Sequence, residues 1–261
     1  MPFYTTEDGL RYYRFEILGD IPHAVFSRHG GVSPAPWASL NLGGTVGDDP
    51  VRVRENRRRA LQALGLSEAS VYDVWQVHSA RVVVAQTARP AHMPHLQADA
   101  ILTNQPGVTL LMRFADCVPI LLYDPLHRVV GIVHAGWQGT VKRVVSEAVA
   151  HMRSIFGSQP DSLLAALGPS IGPDHYEVGE DVVQAVEHSF GSDADALLPR
   201  KNGRIFFDLW AANHLLLEQA GVRQIELAGL CTACHTEDWF SHRAEKGRTG
   251  RFGALIALDS E

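Results

Sequence analysis

Only three cysteines occur in the 261 residues, too few for a disulfide framework in a chain of this length, so reduced thiols are expected. No apolar run comes near the roughly 18 residues of a membrane-spanning helix. The opening stretch MPFYTTEDGL is acidic and lacks an apolar core, which argues against a secretory leader. A surplus of positive charge is also missing, since the formal net charge is −6. The one basic cluster, Arg52 to Arg59, falls on an expected helix with Glu55 inside it, and reads as a solvated face, not as a nucleic-acid contact. The expectation from these absences is a cytoplasmic globular protein with no nucleic-acid or membrane partner.

What is present is 46% hydrophobic residues in short runs. RYYRFEIL and PHAVFS alternate as an opening strand pair, and a loop rich in Gly, Pro and Ser follows from Arg28 to Pro50. That loop is long and carries Arg28, His29, Trp37 and Asn41, so a functional loop is expected. A helix is expected over 51–65, ended by Gly65. VYDVWQV and RVVVA read as strands, 86–98 as a second loop, and ADAILT, GVTLLMR, CVPILLYD and RVVGIVHA as further strands. The apolar stripe of Val141, Val144, Val145, Ala148, Val149, Met152 and Ile155 predicts one helix over 139–156. SLLAALGPSIG is a buried strand leading into a loop. Helices over 179–190 and from the cap Asp208 to Ala220, with strands QIELAGL and FGALIAL, complete the chain. Strands and helices do not alternate strictly and no linker interrupts them. The expectation is a single α+β domain over 1–261, with mixed sheets and helices on their outer faces.

Three soft donors end apolar runs: His78 in WQVHS, Cys117 in ADC and His134 in HAGWQG. Neutral imidazole and thiolate are zinc's preferred donors, and three protein ligands leave a coordination position open for chemistry. The spacings are long, and neither a zinc-finger pattern nor H-E-x-x-H is present, so pattern alone leaves a buried thiol and hydrogen-bonded histidines as the plainer reading. Gly136 and Gly139 let the chain turn sharply after His134, either to approach an anion at the helix start or simply to join strand to helix. Asp116 could orient an imidazole or cap a turn. Cys231-Thr232-Ala233-Cys234-His235 matches the haem-attachment pattern, but haem is rejected for a strand-rich chain without a leader, and a structural or substrate-lining Cys231 is preferred. Arg28, Arg243, Arg248 and Arg251 are candidate oxyanion contacts, each of which could equally be a surface arginine.

Ordered along the chain are SRHGGVS (27–33), SLNL (39–42), GDD (47–49), ENR (55–57), QVH (76–78), ADAILT (98–103), ADC (115–117), HAGWQG (134–139), GPSIG (168–172), YEVG (176–179), CT (231–232), FSHR (240–243) and TGR (249–251). Together they resemble the YfiH-type laccase-domain family, whose members have been described as polyphenol oxidases and as purine nucleoside phosphorylases. The resemblance covers the chain from near residue 23 to its end. It implies a layered α+β sandwich and a zinc site of His78, Cys117 and His134, with copper as the alternative ion.

The resemblance further implies phosphorolysis of adenosine, inosine or S-methyl-5′-thioadenosine to free base and sugar 1-phosphate, with adenosine deamination as a related activity. Copper-dependent phenol oxidation, editing of peptidoglycan precursors and metal binding without catalysis are the competing readings. Against the copper oxidase, the 13 histidines include no H-x-H pair. In the phosphorylase reading Cys117, His78 and His134 are catalytic together with Arg28 and Arg243. Asn41, Gln76, Asp116, Gly136, Gln138 and Cys231 bind substrate, and the partners are a purine nucleoside and phosphate on a monomer. Two positions depart from the family pattern. Gln138 stands where Arg or Lys is common after HAGW, and His242 replaces Tyr in S-Y-R. Roles for Cys234, His235 and His242 stay open.

Overall fold

A computed structural model of the protein describes residues 2–259. The chain opens with β1 (Phe3–Thr5), β2 (Arg11–Tyr13), β3 (His23–Phe26), α1 (Pro50–Gln62), β4 (Val71–Asp73), β5 (Val82–Val84) and β6 (Ala100–Thr103). Next are β7 (Thr109–Phe114), β8 (Val118–Asp124), β9 (Val129–Ala135), α2 (Trp137–Val141), α3 (Val144–Phe156), β10 (Leu164–Leu167) and α4 (Glu180–Phe190). The chain ends with α5 (Ala194–Leu197), β11 (Arg200–Lys201), β12 (Arg204–Ile205), α6 (Leu209–Gln219), β13 (Gln224–Leu227) and β14 (Phe252–Ala257).

Two six-stranded sheets form, in the orders β1-β2-β3-β14-β7-β4 and β13-β10-β8-β9-β6-β5, and β11 and β12 make a small ribbon. Both large sheets are mixed: β4 runs parallel to β7, β5 to β6 and β13 to β10, while the other pairs are antiparallel. The two-residue period of each strand decides the layers. In β7, Leu110, Met112 and Phe114 face the second sheet, while Leu111 faces outward towards Ala60 and Leu61 of α1. In β9, Val130 and Ile132 join the layer between the sheets, whereas Val129, Val133 and Ala135 pack under α3, α4 and α6. The result is a helix–sheet–sheet–helix α+β sandwich in one domain, in which the central strands are buried on both faces and therefore read as unbroken apolar runs.

Local signals explain most boundaries. Asp49 caps α1 by accepting from Val51 N at 2.8 Å, with Pro50 at the first turn. Asp208 caps α6 in the same way through Trp210 N and Ala211 N. The single helix expected over 139–156 is two helices, because Arg143 takes a left-handed φ of 63° between α2 and α3. The stripe survives the break except at Ile155, which is exposed. VYDVWQV forms a strand only over its first three residues, and β1, the β11–β12 ribbon and α5 are short elements with no signal strong enough to expect them.

Polar groups of the loop from Arg28 to Pro50 bond within the loop, as Ser33 and Asn41 do with Asp48, and to neighbouring segments. Buried Asn56 donates to Ser33 Oγ, Ser39 O and Asn41 O and accepts from Val32 N, anchoring the loop to α1. The basic cluster is only partly a solvated face, since the Arg57 guanidinium turns inward to donate to Leu42 O. No helix among the described residues is long and apolar enough to cross a membrane.

Candidate metal centre and cavity

The β8–β9 hairpin brings two donors together. Val118 pairs with Ala135 and Pro119 with His134, so Cys117, just before β8, lies beside the end of β9. His134 lies on the inner face, its ring 5.4 Å from that of Phe114. His78 arrives from the other side on the loop between β4 and β5, its ring 5.0 Å from that of His134. The Cys117 Sγ to His78 Nε2 distance is 4.0 Å, and donor atoms of all three residues lie within 4.8 Å of one another. Gly136 is what permits this approach: a Cβ there would stand 2.7 Å from Cys117 Sγ and 3.1 Å from His78 Cδ2.

Asp99, to which the local sequence assigns no role, organises the donors. Its carboxylate accepts from His134 Nδ1 at 2.9 Å, from the backbone N–H groups of Val77, His78 and Ser79, and from Ser79 Oγ. The bond to Nδ1 directs His134 Nε2 towards the thiol, the arrangement in which a carboxylate fixes a metal-binding imidazole. The three backbone bonds hold the His78 loop, where His78 itself has a left-handed φ of 56°. Burial works against ionisation of Asp99, but His134 and Ser79 outweigh it and bring its pKa to about 2. Burial likewise opposes a Cys117 thiolate, yet the His134 and His78 imidazoles overcome it and pull the thiol down to about 6. Two imidazoles, an acidic thiol and an orienting carboxylate form a donor set suited to zinc or copper.

The triad opens on a cavity of about 180 Å³ lined by His78, Asp116, Cys117, Gly136, Trp137, Gln138, Ile171, Tyr176 and Leu209. Asp116 does not orient an imidazole. With a φ of 83°, it accepts from Thr232 Oγ1 at 2.7 Å and from Arg243 N at 2.7 Å, tying two distant loops to the residue before Cys117. Arg243 stands beside the cavity, 5.1 Å over the Tyr176 ring and donating to Glu177 O. Burial pushes the Tyr176 phenol well above its ordinary pKa, so it remains a donor at neutral pH.

Other expected contacts lie elsewhere. Arg28 is spent on Ala38 O, Thr236 O and Glu245, with its guanidinium 4.5 Å over Phe240. Asn41 is fully buried, bonded to Asp48, Gly43 and Arg251 N. Gln76 makes a reciprocal pair with the backbone of Arg113, which braces the His78 loop on β7. Cys231 lies behind the cavity wall and accepts from Gly172 N. The His242 ring packs at Gly247. Arg251, another of the candidate oxyanion contacts, is half-buried, and the negative groups that act on it are Cys117 and Asp116.

The model of the family described as multi-copper polyphenol oxidoreductase laccase matches residues 22–259. The chain belongs to this family. A Deinococcus radiodurans protein named purine nucleoside phosphorylase is 42% identical over 253 residues, covering 97% of this chain and 95% of that one. Bacillus subtilis purine nucleoside phosphorylase YlmD is 36% identical over 240 residues, covering 89% and 86%. Among solved structures, Bacillus licheniformis YfiH matches with a TM-score of 0.92 at 31% identity and 99% coverage of both chains. YlmD from Geobacillus stearothermophilus matches with 0.90, also at 31% identity and 99% of both.

Proposed function

We propose that this family member is a zinc-dependent purine nucleoside phosphorylase that splits adenosine, inosine and S-methyl-5′-thioadenosine with phosphate into base and sugar 1-phosphate. The observation that carries the reading is the opening of the His78–Cys117–His134 triad onto a cavity with Trp137 and Tyr176 in its lining and Arg243 beside it. The relatives' names point to the same reaction.

A purine is flat and aromatic, so the rings of Trp137 and Tyr176 are suitable partners for it. The protonated Tyr176 hydroxyl can donate to a ring nitrogen or a sugar oxygen. Gln138 offers both an amide donor and an acceptor where an arginine or lysine would offer only donors. As phosphate attacks C1′ and the glycosidic bond breaks, the sugar becomes electron-poor and the leaving base needs a proton. Arg243 offsets the phosphate's negative charge, with a bidentate geometry open to it. Bound at the triad, zinc would supply Lewis acidity towards an oxygen of the co-substrate or a water. Asp99 holds His134 in one tautomer, and Asp116 fixes the backbone of Arg243 relative to Cys117. Arg28, Asn41 and Gln76 act on the reaction only by holding the loops.

The test is chromatography of the three nucleosides incubated with the protein, with and without phosphate. Phosphate-dependent free base is expected from the wild type and not from Cys117→Ala. Inosine accumulating from adenosine without phosphate would identify the deaminase, and oxidation of a phenolic dye by copper-loaded protein would favour the laccase reading. No free base from any nucleoside in the wild type would sink the proposal.

A further inference from the structure

The loop after β13 carries Cys231-Thr232-Ala233-Cys234, whose thiols the cavity does not use. His235 N bonds back to Cys231 O at 3.2 Å, closing a turn that brings the Cys234 sulfur over that of Cys231. A second turn lies beside it: His175 N and Tyr176 N both bond to Gly172 O, so that His175 closes the turn. His175 Nδ1 lies 3.8 Å from Cys231 Sγ and 3.5 Å from Cys234 Sγ, and the three donor atoms lie within 4.8 Å of one another.

These spacings have a specific meaning. With Zn–S near 2.3 Å and Zn–N near 2.0–2.1 Å, sulfur and nitrogen at two corners of a tetrahedron stand about 3.6 Å apart. The two S···N distances, 3.5 and 3.8 Å, bracket that value. Thiol–imidazole hydrogen bonding is a poorer account of the cluster, because one ring nitrogen has a single in-plane position to donate from or accept at, and here two sulfurs compete for it. A cation between the three atoms satisfies all of them. Gly172 N donates to Cys231 Sγ at 3.2 Å, the kind of outer hydrogen bond that orients a thiolate ligand. Cys231 is buried while Cys234 and His175 are exposed, so the cluster has an anchored inner donor and an open side for entry.

We infer that His175, Cys231 and Cys234 form a second metal site, taking a soft divalent ion of the zinc class and leaving one coordination position open. Both thiols lose their protons to solvent on binding. The ion cross-links the two turns that flank the cavity: His175 adjoins Tyr176, which lines it, and Cys231 adjoins Thr232, which bonds to Asp116 beside Cys117. Its role is thus to set the cavity wall, separately from the triad.

The test counts metal, with no activity involved, so it stands or falls independently of the phosphorylase reading. Metal-free protein kept reduced with a phosphine is titrated with Co²⁺, following thiolate-to-cobalt absorption, and Zn²⁺ content is measured after dialysis. Two equivalents are expected in the wild type and one in Cys117→Ala. The double variants Cys117→Ala/Cys234→Ser and Cys117→Ala/His175→Ala, changed at exposed positions in the second cluster, are expected to bind at least tenfold more weakly than Cys117→Ala. One equivalent in the wild type with none in Cys117→Ala would overturn the site, as would unchanged binding in both double variants.

Discussion

At the scale of single residues, the sharpest constraint is Gly136. Its φ of −79° is open to any residue, so the requirement for glycine is one of space, set by Cys117 Sγ at 2.7 Å from the position of a Cβ. Gly136→Ala should cost roughly 1–3 kcal/mol of overpacking at the triad, which corresponds to about five- to 150-fold weaker metal binding if the strain falls on the bound state. Metal titration of the variant checks this, and unchanged affinity would show that the triad does not hold the ion. His23 offers a second residue-scale test. It is fully buried, its Nδ1 donating to Ile21 O and its Nε2 accepting from Phe15 N. Burial lowers its pKa from 6.5 to about 4. The unfolded imidazole therefore takes up a proton first as pH falls. The stabilisation is complete above about 6.5 and erodes until the folded imidazole follows near 4, a loss on the order of 3 kcal/mol. Urea unfolding of wild type and His23→Gln at pH 7 and 4.5 should show a shallower pH dependence in the variant.

At the scale of elements, an ionic cluster joins β4, β7, α1 and the 86–98 loop alongside the apolar layers. Asp73 at the end of β4 is buried and accepts from Arg89 Nε and Nη2 and from Arg113 Nη1, with His95 at 3.1 Å and Arg57 at 4.0 Å. Burial alone would raise its pKa, but Arg113 and Arg89 bring it down to about 2. This carboxylate therefore stabilises the fold above its ordinary range near pH 4, and that contribution fades as pH drops towards 2. Asp73→Asn leaves several arginines facing one another without their counter-charge and should destabilise the protein by about 3–5 kcal/mol, measured by denaturant unfolding at pH 7. A loss under 1 kcal/mol would mean that solvent already screens the cluster. The cluster also explains why residues 86–98 are ordered without regular structure: Arg89 and His95 tie that loop to β4 and β7.

For the whole molecule, the triad gathers donors from the loop after β4, the start of β8 and the end of β9, so metal binding is linked to global folding. At free zinc a hundredfold above the dissociation constant, a site stabilises the native state by about 2.7 kcal/mol. In a chain of this size each kcal/mol moves Tm by about 2–4 °C. Chelation should therefore lower the Tm by roughly 5–10 °C for each site emptied, and so by less in Cys117→Ala than in the wild type, as differential scanning calorimetry would record. An identical shift in both proteins would remove the triad from the account of stability.

The elements themselves were largely readable from the chain, because burial on one face or both leaves a periodic signature: the β8 and β9 runs, the α6 cap and the α3 stripe all lie where their residues imply. The three donors were also visible, each at the end of an apolar run. Their convergence was not, since it depends on the pairing of Pro119 with His134 and on the position of the β4–β5 loop, neither of which local sequence encodes. The roles of the polar residues were decided almost wholly by tertiary structure. Asp99 in ADAILT and Asp116 in ADC have the same local chemistry, yet one orients His134 and the other ties Thr232 to Arg243. Arg28 and Arg243 differ in the same way, one enclosed by carbonyls and Glu245, the other left beside the cavity. Apolar side chains report their environment through period, whereas a charged group acts through whichever partners the fold brings within about 3 Å.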